Sequence, residues 1–292
     1  MTHTAVSCVN KAYSDPLKVW LSVIAQQPAA MRVIIYHTAD IDPKDFPTDM
    51  EVVWRLIDAP LQKCMRPHHR QGILLPLLAF DDLHSRKATR VVYLDLDALP
   101  FGNISPLLNS PVRASSPIAA VPDLLWMNNK RNKALNLNNH TYFNAGMLVI
   151  DIIQWNKFNT FEKVLQAIQL EPQKFRYLDQ DALNLILTKH IEYIDKKFNC
   201  IDLNTINHQD IILLHFAAHP KPWNIAFPIS KVCNTFNKNL YAYYENQTPW
   251  KNTPLEQPKN YKEIKIYAKA LKNNKQYIKS LYYFSKYLMS KI

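Results

Sequence analysis

Two carboxylates end an apolar run in Val91-Val92-Tyr93-Leu94-Asp95-Leu96-Asp97. Acids spaced i, i+2 beyond a buried strand stand at the mouth of a site, because open parallel sheets bind ligands past the carboxyl ends of their strands. Two carboxylates, joined by phosphate oxygens, are what Mg²⁺ or Mn²⁺ needs. Three further segments offer polar groups at similar places. Tyr142-Phe143-Asn144-Ala145-Gly146 sets an amide and a small pair before an apolar run. Tyr177-Leu178-Asp179-Gln180-Asp181-Ala182-Leu183-Asn184 crowds two acids and an amide at a helix start, more polar groups than one N-cap uses. Leu213-Leu214-His215 ends a strand in an imidazole, and His219-Pro220-Lys221-Pro222-Trp223 then holds a lysine between prolines. Together these supply two carboxylates and an imidazole for a metal, a lysine for a phosphate, and an amide–acid pair for a reacting centre.

Positioning such groups requires strands that alternate with helices. Residues 5–9, 32–36, 52–57 and 91–94 are rich in β-branched and aromatic side chains and read as strands, as do 118–121, 146–150, 191–194 and 211–215. Helical spacing marks 16–27, 67–83, 160–170 and 180–189, with Leu17, Trp20, Val23 and Ile24 on one face of the first. The alternation predicts an α/β fold, Rossmann-like, with a mostly parallel central sheet flanked by helices. The Asn/Lys-rich stretch 128–139 reads as a loop. Pro249, Pro254 and Pro258 mark a linker, so a domain is expected over 1–248 and a helical tail over 249–292.

Composition narrows the chemistry. With 48% apolar residues in 292, the chain can build a large core and is too apolar for disorder. Its three glycines, Gly72, Gly102 and Gly146, lie too far apart for a Walker A loop or a dinucleotide fingerprint. Any nucleotide phosphate must therefore meet a metal ion or side-chain cations. Cys8, Cys64, Cys200 and Cys233 form no Cys-x-x-Cys pair, which excludes a zinc ribbon or a disulfide framework and fits a reducing cytosol. The first residues lack the pattern of a signal peptide, and the longest apolar run, 73–80, is too short to span a bilayer, so a cytoplasmic chain is expected. Of the net charge of +11, residues 251–292 carry +8, with ten lysines and two acids. The domain is nearly balanced, which argues against a nucleic-acid-binding protein. A metal-dependent phosphohydrolase, which also uses Asp-x-Asp, would need more acids about the metal.

The order Leu-Asp-x-Asp, Phe-Asn-Ala-Gly, Asp-Gln-Asp-x-Leu-Asn and His-Phe-x-x-x-x-Lys-Pro-Trp resembles glycosyltransferase family 8, the family of glycogenin and of bacterial lipooligosaccharide galactosyl- and glucosyltransferases. The resemblance covers about residues 5–223. It implies a GT-A fold, a UDP-hexose donor, Mn²⁺ (or Mg²⁺), a glycan acceptor and retention of anomeric configuration, with a place in lipopolysaccharide or lipooligosaccharide biosynthesis. Carried over, Asp95, Asp97 and His215 look like the metal ligands and Lys221 like the diphosphate-binding lysine. Asp123, Asn144 and Ala145 fall about the donor sugar, with Gln180 on the face of the anomeric carbon and Asp181 beside it as the catalytic pair. Tyr13 matches the tyrosine stacked on uracil; Cys8, Asn10 and Leu96 join the donor-binding set. Front-side attack with Gln180 stabilising the cationic sugar is favoured over a double displacement, since an amide oxygen is a poor nucleophile. Three positions depart from the pattern. Asn10 stands where the family has an acid, and Ala218 replaces a glycine, tolerable only at negative φ. The arginine before the Asp-x-Asp strand has no clean match; Arg70 is the first candidate and Arg66 the second.

In the tail, Lys262, Lys265, Lys269, Lys272, Lys279 and Lys286 recur on one helical face of 261–288. Ile264, Ala268, Leu271, Ile278, Leu281 and Leu288 recur on another, with tyrosines near the boundaries. That pattern predicts a helix lying in a membrane interface, and hence a peripheral protein on the anionic inner face of the cell membrane, near a lipid-linked acceptor.

Overall fold

Seven apolar runs pair edge to edge in a single sheet, and the helices between them cover its faces. The computed structural model describes residues 3–28, 31–57, 74–109, 112, 115–138 and 140–290. In chain order the elements are β1 (His3–Val9), α1 (Ser14–Ala25), β2 (Met31–His37), β3 (Val52–Leu56), α2 (Leu75–Ser85), β4 (Arg90–Leu94), β5 (Ala98–Pro100), α3 (Ser105–Leu108), β6 (Ile118–Pro122) and α4 (Leu125–Leu135). They continue with β7 (Phe143–Asp151), α5 (Ile152–Lys157), α6 (Thr160–Leu170), α7 (Leu178–Ile186), β8 (Ile191–Tyr193), β9 (Leu213–His215), α8 (Thr235–Asn246), α9 (Tyr261–Asn273) and α10 (Tyr277–Met289). They fall into two compact units, Met1–His215 and Phe216–Ile292.

In the first unit the strand order is β3-β2-β1-β4-β7-β6-β8, with β5 and β9 forming a separate pair. Neighbouring strands run parallel except where β7 lies between β4 and β6, antiparallel to both. The expected mostly parallel α/β sheet is the one observed. Val6, Val91, Tyr93, Ile118, Ala120, Leu148 and Ile150 from the strands meet Leu77, Phe80, Trp155, Ile168 and Leu183 from the helices in one core. Phe80 sets its ring edge to face against both Tyr93 (5.4 Å) and Trp155 (5.2 Å). Each such buried side chain contributes about 1.5–3 kcal/mol. This core makes the strand ends rigid supports.

Three expectations need correction. The stretch 128–139 is no loop through most of its length: α4 runs to Leu135 and closes on Asn136 in the left-handed conformation (φ 58°). Only Arg131 and Leu135 are buried on α4, so the helix has no apolar period by which to be read. The tail is two helices, not one. Asn274 stops α9 by donating to the carbonyls of Ala270 and Ile229, and Lys275 (φ 59°) reverses the chain. Tyr267 then meets Tyr283 (4.6 Å), and Ser280 donates to the carbonyl of Ala268, so α9 and α10 pack as a hairpin. Finally, the proline-marked stretch is not a loose linker throughout. Glu256 exchanges backbone hydrogen bonds with Trp223 (2.8 Å) and Ile225 (3.0 Å).

Candidate active site

Because β7 runs against its neighbours, its first residues land beside the last residues of β4 and β6: Met147 pairs with Leu94, and Asn144 with Val121. Asp95, Asp123 and the Asn144-Ala145-Gly146 turn are thereby gathered at one edge of the sheet. β1, parallel to β4, ends at the same edge and delivers Cys8, Asn10 and Tyr13 there. A second device brings His215. β9 pairs antiparallel with β5, and Ala98 faces His215, so the imidazole is laid against the chain just past Asp97.

Nε2 of His215 lies 3.2 Å from Asp97 Oδ1 and 3.9 Å from Asp95 Oδ2. The ligand atoms of the three residues all fall within 4.8 Å of one another. Gly146 makes this closeness possible: a Cβ there would stand 2.2 Å from His215 Cε1 and 2.8 Å from Asp95 Oδ2. Asp97 is buried, whereas the Asp95 side chain is 40% exposed and leaves an open side. Charge is in excess here. Burial first, and the charge of Asp95 second, push the Asp179 carboxyl up to about 7, and the same two causes raise the Cys8 thiol well above its ordinary value. Tyr93 donates its hydroxyl to Asp95 Oδ1 at 2.6 Å. Two carboxylates and an imidazole, with a third acid raised by burial and by the charge of Asp95, and one open side, fit a hard divalent cation such as Mn²⁺ or Mg²⁺.

Beside this cluster lies an amide network. Gln180 Oε1 accepts from the Ala145 N–H (2.9 Å), while its Nε2 donates to Asp123 Oδ2 (3.2 Å) and to the Tyr142 hydroxyl (3.1 Å). Asn144 Nδ2 also reaches Asp123 Oδ2 (3.4 Å), and Asn144 Oδ1 accepts from the Gly146 N–H (3.0 Å). Burial raises the Asp123 carboxyl, against the hydrogen bonds it accepts from Leu124, Asn144 and Gln180. Asn184, fully buried, ties α7 to β7 by accepting from Phe143 N–H (2.8 Å) and donating to the Phe143 carbonyl (3.0 Å).

Asp181 is enclosed. Arg131 grips it through Nε to Oδ1 (2.9 Å) and a terminal nitrogen to Oδ2 (2.7 Å), while Tyr142 (2.6 Å) and the Tyr177 N–H (2.8 Å) supply two more donors. Among the other expected residues, Leu96 is buried, and Asn10 spends its side-chain oxygen on the Ala12 N–H (3.0 Å). Lys221, in the second unit, is buried with Nζ donating to the carbonyls of Phe216 (2.7 Å) and Ala217 (3.1 Å). Ala218 does not adopt positive φ, so its methyl is tolerated. Arg66 and Arg70 lie outside the described residues. Sequence reasoning passed over Asp179, Tyr142, Arg131 and Asn199. Asp179 was visible in its motif, and Arg131 stood out as the single arginine of the Asn/Lys stretch; nothing in the spacing pointed to the other two.

Residues 62–226 match glycosyl transferase family 8, and residues 237–291 match the glycosyl transferase family 8 C-terminal region. The chain belongs to glycosyl transferase family 8. It is 30% identical, over 72% of its length, to the lipopolysaccharide 1,3-galactosyltransferase of Salmonella typhimurium LT2, and 28% identical, over 72%, to the lipopolysaccharide glucosyltransferase WaaO of Escherichia coli K12. It spans 65% of the length of each of these relatives. Among solved structures, the galactosyltransferase LgtC in complex with donor and acceptor sugar analogues superposes with a TM-score of 0.70 at 17% identity, covering 84% of this chain and 96% of that one. The fold is thus the GT-A arrangement expected from the sequence.

Proposed function

We propose that the chain transfers a hexose, galactose or glucose, from a UDP-sugar to a glycan acceptor in lipopolysaccharide biosynthesis, with retention and with Mn²⁺ bound by Asp95, Asp97 and His215. The observation that carries this reading is the contact of an acid–imidazole cluster with an amide pocket at one sheet edge. When bound, the metal supplies Lewis-acid stabilisation of charge on the departing diphosphate. The chain's own residues do the rest. Tyr13 and Asn10 receive the base, and Lys221 keeps the diphosphate role that the family resemblance gives it. Asp123 and Asn144 accept and donate toward the sugar hydroxyls. Both N–H groups of Gln180 are engaged, and its oxygen is held by a backbone donor, so the amide cannot flip. The second lone pair of that oxygen is the group left to face the anomeric carbon. This supports front-side attack, with Gln180 stabilising the cationic sugar. Asp181, sealed by Arg131, acts on the sugar only through Tyr142 and Gln180.

The test needs no acceptor: purified chain with UDP-galactose or UDP-glucose should release UDP slowly with Mn²⁺ and not in EDTA. Metal-independent release, or none with either donor, rejects the reading.

The tail supports a peripheral place on the inner membrane face. Ala268 and Leu271 of the expected apolar face are buried, whereas Ile278 (89% exposed), Leu281 (71%) and Leu288 remain open on α10, among lysines. No described helix is long and apolar enough to cross a membrane. Because Tyr267 and Leu271 cover Ala226, truncation would disturb packing, and the informative variant is Ile278→Ser/Leu281→Ser/Leu288→Ser. It should stay folded and lose sedimentation with anionic vesicles at low salt; equal sedimentation rejects attachment by α10.

A further inference from the structure

Asn199 joins the two halves of the site. It is buried, held by its own N–H to the Lys196 carbonyl, and followed by Cys200, whose backbone pairs with Leu213 and His215. Its Oδ1 lies 2.9 Å from His215 Nδ1, and its Nδ2 donates to Asn144 Oδ1 at 2.9 Å. The direction of every proton in this chain follows from one backbone group. Gly146 N–H can only donate, so the Asn144 atom it meets must be the oxygen. That oxygen requires a donor from Asn199, which turns the Asn199 oxygen toward His215. An amide oxygen has no proton to give, so Nδ1 carries it, and Nε2 is the nitrogen left to face Asp95 and Asp97.

We infer that Asn199 is a positioning residue that fixes His215 in the tautomer able to bind a metal through Nε2, and that couples this ring to the orientation of Asn144 in the sugar pocket. The inference rests on the proposed metal site. Outer-shell partners of this kind alter metal affinity by about 10–100-fold when removed.

Two substitutions separate the two bonds. Asn199→Asp keeps an acceptor for Nδ1–H but has no donor for Asn144; Asn199→Ala loses both. With full-length, EDTA-stripped protein, free Mn²⁺ is followed by electron paramagnetic resonance, and UDP, UDP-galactose and UDP-glucose affinities are measured at saturating Mn²⁺. Asn199→Ala should weaken Mn²⁺ about 10–100-fold. Asn199→Asp should stay within about threefold of wild type for Mn²⁺, yet lose about tenfold in affinity for the UDP-hexoses relative to UDP. A residue needed only for folding would not divide its effects in this way. If Asn199→Ala does not fold, Asn199→Asp alone decides. The inference is overturned if Asn199→Asp weakens Mn²⁺ as strongly as Asp97→Asn does, if Asn199→Ala binds it as wild type does, or if UDP-hexose and UDP affinities move together. Should wild type itself bind no Mn²⁺, the metal site falls and the inference with it; wild-type binding with any of the former outcomes leaves the metal site standing.

Discussion

Asp179 and Asp181 sit two residues apart on the first turn of α7 and have opposite surroundings. Residues at i and i+2 are about 200° apart around a helix, so the two carboxylates face different neighbours. Asp181 faces inward and receives four hydrogen bonds, two of them from Arg131. Asp179 faces the Asp95 side, where burial and a like charge hold its carboxyl near 7. A satisfied buried acid anchors a loop and a helix. An acid crowded by another acid marks a place where positive charge is wanted. The contrast separates the part of the motif that anchors the helix from the part that is crowded against the acid cluster.

Breaking the satisfied side should cost the most. Arg131→Leu leaves Asp181 charged and buried without its cation, and is expected to destabilise the chain by about 3–5 kcal/mol in urea unfolding, with UDP release lost as Gln180 loosens. A loss under about 1 kcal/mol would show the pair to be peripheral to stability. On the crowded side, Asp97→Asn should leave unfolding unchanged but cut turnover at least about a hundredfold, and EDTA should cut wild-type turnover as far. A smaller effect follows from Gly146→Ala. Its new methyl meets His215 and Asp95, so Mn²⁺ affinity should fall and stability drop by about 1–3 kcal/mol, read by metal titration and thermal unfolding.

A further prediction concerns pH. The Asp179 pKa is raised from about 4 in the unfolded chain to about 7 when folded. The folded state then binds a proton that the unfolded state has lost. Its contribution is fully present below about pH 4 and is lost as pH rises through 7. Metal-free wild type should therefore lose stability across that window relative to Asp179→Asn, and Mn²⁺ should flatten the difference. A flat difference without metal would dissolve the contrast between the two acids.

The strands and the acid pair beyond β4 were legible because each rests on local pattern. Val91 to Leu94 is apolar without a break and ends at Asp95, and a strand end is where an open sheet presents ligands. Arg131 and Asn199 act through partners 50 and 16 residues away, and no spacing announces such a bond. α4 was missed because a helix with only Arg131 and Leu135 buried lacks the apolar stripe that identifies helices. The break in the tail was missed because Lys275 reverses the chain without the glycine that usually marks a left-handed residue.

β7 carries one more consequence. Phe143 to Ile150 are buried on both faces of β7, so a slip of one residue would exchange the neighbours of every side chain without exposing any. A slip of two would keep every apolar side chain inside, yet carry Asn144 about 7 Å from Asp123. The register shift opposite Ala120 and Val121, where β7 steps from Leu148 to Asn144, favours one alignment, since such an irregularity fits only one pairing. Alignment of β7 is therefore a condition on the site that the apolar pattern of the strand does not impose by itself.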